Sequence, residues 1–426
     1  LLDMAKKVEG MPRHASTHAA GVVITAKPVD EYVPLAKSDE SIVTQFPMTT
    51  LEELGLLKMD FLGLRNLSVI DHTVHAVRKT EPEFSIDKIS LEDPAVFAMF
   101  SKGETEGVFQ FESAGMRRML VAMKPNCIED LTAATSLYRP GPSSSIDTYI
   151  RNRFHPEQIR YETPLLEPIL RVTCGVLLYQ EQVMQVCRSL AGYSYGRADL
   201  VRRAMGKKKV DVMQAERENF IHGKKREDGS FECVGAVANG VPEDVANHIF
   251  DEMAAFAEYA FNKSHAAAYS VVSYQTAYLK CHYPRQYMAA LLTSILDWTG
   301  KLTEYLGECK ELGIEILPPH INRSTGSFRM EGEGIRFGLL AVKGLGRSVI
   351  DNIVAERKKN GPFTGLLDFC KRMAGKDLNK QALKNLIRCG AFDCFGYARK
   401  ELLAVHEAAM DSPAGYARSH AGGQMN

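Results

Sequence analysis

A chain of 426 residues with 45% hydrophobic side chains exceeds one compact domain and can bury sizeable cores. Its 52 Lys and Arg balance 52 Asp and Glu, which excludes a chain-wide field for polyanions but not local basic patches. Nine scattered cysteines form no C-x-x-C pair, which excludes a paired-cysteine zinc site and fits free thiols in a reducing compartment. No apolar run reaches membrane-spanning length and no signal-peptide pattern opens the chain, so a cytoplasmic protein without a membrane partner is expected. The chain begins on Leu1 in helix-like sequence, and we expect a piece of a larger protein.

Short β-branched runs at Gly21–Thr25 and Ser41–Phe46, and an apolar run at Leu56–Phe61, predict strands. From about Leu67 the pattern turns helical. Apolar spacings of three and four predict helices over Ala95–Phe100, Met116–Met123, Leu131–Leu137, Val176–Leu190, Val245–Phe256 and Ala266–Leu296. Breaks fall at Arg139-Pro140-Gly141-Pro142, from Gly223 to Gly240, and at Pro318-Pro319. Strand-like pieces at Ser327–Met330 and Ile335–Leu339 then lead into a small helical module, and the Gly-, Ala- and Ser-rich residues Ser412–Asn426 predict disorder.

Four segments carry chemistry. In Leu57-Lys58-Met59-Asp60, Lys58 and Asp60 are two apart and share a strand face. A carboxylate beside an ammonium suits Mg²⁺ next to a triphosphate, because that ion takes a few carboxylates plus phosphate oxygens. A plain surface ion pair fits equally. In the stretch Gly196 to Lys209, Arg202 and Arg203 fall one turn beyond Asp199 on a helix, and Lys207, Lys208 and Lys209 follow a glycine. Paired arginines grip phosphates bidentately, and the lysines suit a nucleic-acid backbone; no acid lies within the run from Arg202 to Lys209 to balance it.

In Asn262-Lys263-Ser264-His265 a cation and three directed hydrogen-bonding groups sit at the start of a helix-like run, as a polyanion site requires. An ordinary helix start capped by Asn262 or Ser264 fits too. In Lys343-Gly344-Leu345-Gly346-Arg347 the glycines permit a tight turn whose N–H groups, with the next helix's N-terminus, approach a phosphate; Arg357-Lys358-Lys359 adds basic charge. A simple interhelical turn is the alternative. The aromatic-polar runs Leu137–Pro142 and Leu178–Gln182 read as structural on chemistry alone.

Taken in order, Arg13–Gly21, Lys58–Arg65, Leu137–Pro142, Leu178–Met184, Leu200–Lys209, Phe261–Tyr283 and Lys343–Arg347 closely resemble the C-family of bacterial replicative DNA polymerases, the polymerase III alpha family, up to about Tyr397. The resemblance implies an α+β, predominantly α-helical fold. It comprises part of a polymerase-beta-like palm, a large helical fingers domain and a helix-hairpin-helix module. Domains are expected at 1–12 (end of thumb), 13–66 (second part of palm), 67–318 (fingers) and 319–400 (start of the clamp-side domain), with a flexible tail over 401–426.

In function it implies DNA-directed DNA synthesis by two-metal nucleotidyl transfer with Mg²⁺. Asp60 matches the third of three catalytic carboxylates; the first two belong to an Asp-x-Asp motif that does not precede it here, so the piece alone is expected to be inactive. Lys58 joins Asp60 in the catalytic group. Arg139, Arg202, Arg203, Asn262, Lys263, Ser264 and His265 form the nucleotide group. Lys207 to Lys209, Lys343, Gly344, Gly346 and Arg347 contact DNA. Implied partners are template–primer DNA, deoxynucleoside triphosphates, the sliding clamp and other replisome subunits. The competing reading is a non-catalytic DNA-binding module, which needs the hairpin and the basic stretch but not Asp60.

Overall fold

The computed structural model describes residues 2–11, 16–18, 20–38, 41–139, 142–206, 210–257, 260–296 and 298–421. The chain divides into two compact units, Leu1–Arg65 and Asn66–Asn426. Helices dominate, and the described strands form four small sheets. No helix among the described residues is long and apolar enough to cross a membrane.

In the first unit, Gly21–Ile24 pairs antiparallel with Leu57–Asp60, placing Gly21 opposite Asp60 and Val23 opposite Lys58. The two-residue period sorts the ribbon into faces. Lys58 and Asp60 share one with Gly21, while Val22, Ile24, Leu57 and Met59 lie on the other and remain exposed. A second ribbon pairs Leu35–Ser38 with Ser41–Thr44. Its first strand escapes sequence reading because Leu-Ala-Lys-Ser has neither β-branching nor alternation. The short helix Met48–Glu53 buries Leu51 and runs into the strand that carries Asp60.

The second unit is organised around the helix Lys263–His282, which packs on Ile128–Leu137 and Pro94–Lys102. Small side chains on both partners (Ala133, Ala134, Ala266, Ser270, Ser273, Ala277) are buried and let the backbones approach. The buried hydroxyls are satisfied by their own helices: Ser270 donates to the Ala266 carbonyl, Ser273 to Tyr269 and Ser136 to Thr132. Tyr274, fully buried, donates to the Ser90 carbonyl and accepts from the Asp93 amide, both at 2.9 Å.

The expected single helix over Ala266–Leu296 is two. The first ends at His282 and the second, Pro284–Thr293, starts on a proline that cannot donate and that disfavours helical backbone at Tyr283. Likewise the expected helix from Val176 starts only at Gln180, because Leu178 and Tyr179 run extended and donate their amides to the Gln182 side chain. The glycine-rich break after Gly223 holds a small hairpin, Lys224–Lys225 with Phe231–Cys233.

Towards the C-terminus, Gly334–Arg336 pairs parallel with Ile316–Leu317 and antiparallel with Arg329–Glu331. Four helices follow, Arg347–Asn360, Leu366–Met373, Lys380–Arg388 and Arg399–Ala421, around a core that includes Phe363, Phe369 and Phe392. Where the resemblance implies a flexible tail over 401–426, the last of these helices buries Leu402 and Ala409 in that core.

Lys280 reaches from the long helix into the core. Its Nζ donates to the Glu104 and Glu106 carbonyls at 2.9 and 2.8 Å and pairs with Glu308 at 2.7 Å, with its side chain only 1% exposed. Lys280→Ala strands the Glu308 carboxylate and both carbonyls. It is expected to lower the stability of the second unit by about 3–5 kcal/mol in chemical denaturation.

Candidate functional site

In the first unit, Lys58 Nζ donates to Asp60 Oδ1 at 2.7 Å, and His18 Nδ1 lies 3.9 Å from the same oxygen. His18 Nδ1 also accepts the Ala20 amide at 3.2 Å, which orients the ring. The hydrogen bond from Lys58 holds the Asp60 carboxyl below the ordinary range, and the Lys58 charge acts in the same direction. Asp60 is therefore an ionised, half-exposed oxygen donor, with Oδ2 lacking a hydrogen-bond partner among the described residues. Gly21 makes this crowding possible. A Cβ there would lie 2.6 Å from Lys58 Cε, 2.9 Å from His18 Nδ1 and 3.3 Å from Asp60 Oδ1. The sequence gives no sign of this requirement, because it arises only from the pairing of two strands.

In the second unit the nucleotide candidates converge on a junction between two helix starts. Tyr179 and Phe261 form a parallel bridge, with the Gln180 amide donating to the Phe261 carbonyl at 2.9 Å and the Gln180 side chain to the Ala260 carbonyl at 3.0 Å. Asn262 is the N-cap of the long helix, its Oδ1 accepting from the His265 amide at 2.8 Å. Its Nδ2 donates to Glu181 Oε1 at 3.1 Å, and the Lys263 amide donates to both Glu181 oxygens at 3.1 Å. The helix N-terminus thus already holds an anion, the carboxylate of Glu181.

Around this junction the side chains stack. Arg139 lies over the Phe261 ring at 4.4 Å and Lys263 Nζ lies 5.4 Å from the Tyr179 ring centroid. His265 packs edge-on against Phe261 at 5.4 Å and against Tyr269 at 4.1 Å. Arg202 joins through Gln180, donating to its Oε1 at 3.2 Å. Arg202 also donates to Asp199 Oδ1 at 2.8 and 3.0 Å, while Arg203 Nε pairs with Asp199 Oδ2 at 2.8 Å.

The pair is not unbalanced, as counting only acids within the run from Arg202 to Lys209 suggests: Asp199, one turn back, serves both. Its carboxyl is held low by the hydrogen bond from Arg202 and by both positive charges. Arg202 is largely buried, and Arg203 remains 65% exposed. Arg203 also lines a cleft of about 450 Å³ with Arg197, Leu200, Glu216, Lys224 and Glu232. Arg139, Arg202, Arg203 and Lys263 bring positive charge to this region, and Asp199 and Glu181 pair with part of it. Ser264 is exposed beside them.

Arg139, Arg202, Arg203, Asn262, Lys263 and His265 therefore share one network, and Tyr179, Gln180, Glu181 and Phe261 bind it together. The sequence reading treats Leu178–Gln182 as structural. Its polar-aromatic alternation was the available signal, but its partner lies about eighty residues away. Lys207, Lys208 and Lys209 fall outside the described residues.

In the helical module, Gly344 adopts φ +80°, and its turn is held by Asn385 Nδ2 donating to the Lys343 carbonyl at 2.9 Å. Gly346 is the N-cap of Arg347–Asn360, and Lys343, Gly344, Gly346 and Arg347 are all exposed. Arg357 does not extend this basic surface as the run Arg357-Lys358-Lys359 suggests. It turns inward to the Ile321 carbonyl at 2.6 Å and the Arg323 carbonyl at 3.2 Å, and burial, with the charge of Arg329, pushes its guanidinium down to about 10.

Three family models match in chain order. They are described as the bacterial DNA polymerase III alpha NTPase domain (residues 1–63), the bacterial DNA polymerase III alpha subunit finger domain (66–228) and a helix-hairpin-helix motif (313–402). Among curated relatives, the DNA polymerase III subunit alpha of Thermus aquaticus is 48% identical over 96% of the chain, and that of Deinococcus radiodurans 44% over 99%. A Staphylococcus aureus relative of the same name is 43% identical over 96%. The chain spans only about a third of their lengths: 33%, 32% and 37% respectively.

The Asp60 geometry predicts an NMR carboxyl titration with its midpoint below 3.8, moving upward in Lys58→Ala once the hydrogen bond and the nearby charge are gone.

Proposed function

The chain belongs to the bacterial DNA polymerase III alpha family, and we propose that it forms the second part of the palm, the fingers and the hairpin module of a DNA-directed DNA polymerase. The observation that carries this reading is the junction at Tyr179 and Phe261. It draws cations from positions 139, 202 and 263 together, Arg202 by a hydrogen bond to Gln180 and Arg139 and Lys263 over the Phe261 and Tyr179 rings, with Arg203 joined through Asp199. That is the donor set an incoming deoxynucleoside triphosphate requires.

On this reading Arg203 and Lys263 neutralise the triphosphate. Arg203 is the more available arginine, because Arg202 is largely committed to Asp199 and Gln180. Asn262 acts chiefly by capping, which fixes where Lys263 and His265 project. Ser264 supplies a hydroxyl to the same pocket. His265, stacked between Phe261 and Tyr269, presents a ring edge towards nucleotide, and Arg139 adds a cation over Phe261.

Asp60 fits a divalent ion: it is an ionised carboxylate, a hard oxygen donor of the kind Mg²⁺ takes. Such an ion, when bound, supplies charge stabilisation to a transferring phosphoryl group. One carboxylate does not make a two-metal site, so further acidic ligands must join Asp60. Lys58 keeps Asp60 ionised and oriented.

Lys343, Gly344, Gly346 and Arg347 hold DNA backbone through N–H groups and positive charge, giving contacts blind to sequence. Lys207 to Lys209 belong to the same backbone-binding set. The whole protein on this reading works in the cytoplasm with template–primer DNA, deoxynucleoside triphosphates, a sliding clamp and other replisome subunits.

Primer extension by a full-length polymerase carrying this chain tests the assignment. Asp60→Ala is expected to lose on the order of a thousandfold in kcat, the loss of a metal ligand being worth several kcal/mol. Arg203→Ala is expected to raise the nucleotide KM by about tenfold or more, as for one charge-assisted hydrogen bond. Undiminished synthesis by Asp60→Ala would remove it from the metal site. An unchanged nucleotide KM and kcat in Arg203→Ala would remove that residue from the pocket.

A further inference from the structure

Away from the junction, three side chains from two separate stretches converge. His248 and Glu252 stand one turn apart on the helix Glu243–Ala257, and Glu162 faces them from the loop preceding Pro164. One ligating atom from each, an imidazole nitrogen and two carboxylate oxygens, lies within 4.8 Å of the other two. We propose that Glu162, His248 and Glu252 form a binding site for a first-row divalent cation of the zinc class, separate from Asp60.

The donor set selects the ion. Imidazole nitrogen favours zinc and its neighbours over magnesium and calcium, which prefer oxygen alone, and three protein ligands leave room for solvent. Zinc bonds of roughly 2.0–2.2 Å replace the direct contact of His248 with Glu162. The two glutamates can adjust to the ion by rotation about their side-chain bonds.

Charge points the same way. His248 Nδ1 is in hydrogen-bond contact with Glu162, so one imidazole must serve two carboxylates. The nearby Arg217 is directed to Asp251 instead. A divalent ion held among the three would neutralise both carboxylates. All three side chains are exposed, and Glu252 also lines a cleft of about 430 Å³ with the hydroxyl-bearing Ser144, Ser145 and Thr148. Ion and water can therefore enter. A bound cation would tie the Glu162 loop to the helix that carries His248, adding a cross-link to the core that contains Leu166, Ile249 and Met253.

The chain, stripped of metal with a chelator and dialysed, is titrated with zinc chloride by calorimetry beside His248→Ala and the double variant Glu162→Gln/Glu252→Gln. Circular dichroism checks that each variant is folded. The expected result is one molar equivalent of zinc bound by the wild type and missing from both variants. Millimolar magnesium is expected not to displace it, and the wild type alone is expected to gain melting temperature with zinc. Superimposable titrations of wild type and folded variants, or the absence of a zinc-binding phase in the wild type, would overturn the site.

Discussion

One short contact governs the second unit: the parallel bridge between Tyr179 and Phe261, sealed by the Gln180 amide on the Phe261 carbonyl. It fixes the starts of two helices, Gln180–Ala191 and Lys263–His282, against each other. Each helix is rooted in a core. The first buries Val183 in a core with Leu166 and Phe250, and the second places Tyr274 and Ala277 in a core with Phe97, Phe100 and Leu131. The bridge therefore lies where two apolar cores meet polar surface. Rigid packing on either side sets the positions of exposed cations that have little packing of their own.

The same logic distinguishes cations that organise from cations that remain available. Lys280, Arg202 and Arg357 are committed to internal carbonyls or carboxylates, and their positive charge holds the protein together. Lys263, Arg203 and Lys343 keep their head groups in water, where a phosphate can reach them. Glu181 at the N-terminus of the long helix shows that this end attracts negative charge, since the chain supplies a carboxylate there itself.

Local signals made most elements legible in the sequence. The strands at Gly21, Ser41 and Leu57 follow from β-branched and apolar runs, and the helices around Ala95, Met116, Leu131 and Val245 from side-chain period. Asn262 as an N-cap was visible as one of two alternatives, because a cap is a property of four consecutive residues. What was not legible depended on distant partners. Leu35–Ser38 is a strand only because Ser41–Thr44 lies beside it, and Gly21 is constrained only because Asp60 and Lys58 stand opposite. The helix Arg399–Ala421 forms where the resemblance implied a tail from 401, because Leu402 and Ala409 have a core to enter. The candidate cations were read from the sequence one motif at a time. Their assembly into one network required Gln180 and Asp199, which carry no positive charge and drew no notice as phosphate ligands.

The central claim is that the Tyr179–Phe261 junction presents a triphosphate pocket. Amide hydrogen exchange of a full-length polymerase carrying this chain, with and without saturating deoxynucleoside triphosphate and magnesium, tests it most directly. The account predicts slower exchange across residues 179–182 and 261–266, extending to 199–203, when nucleotide binds. Exchange unchanged in all three stretches at saturating nucleotide would contradict it.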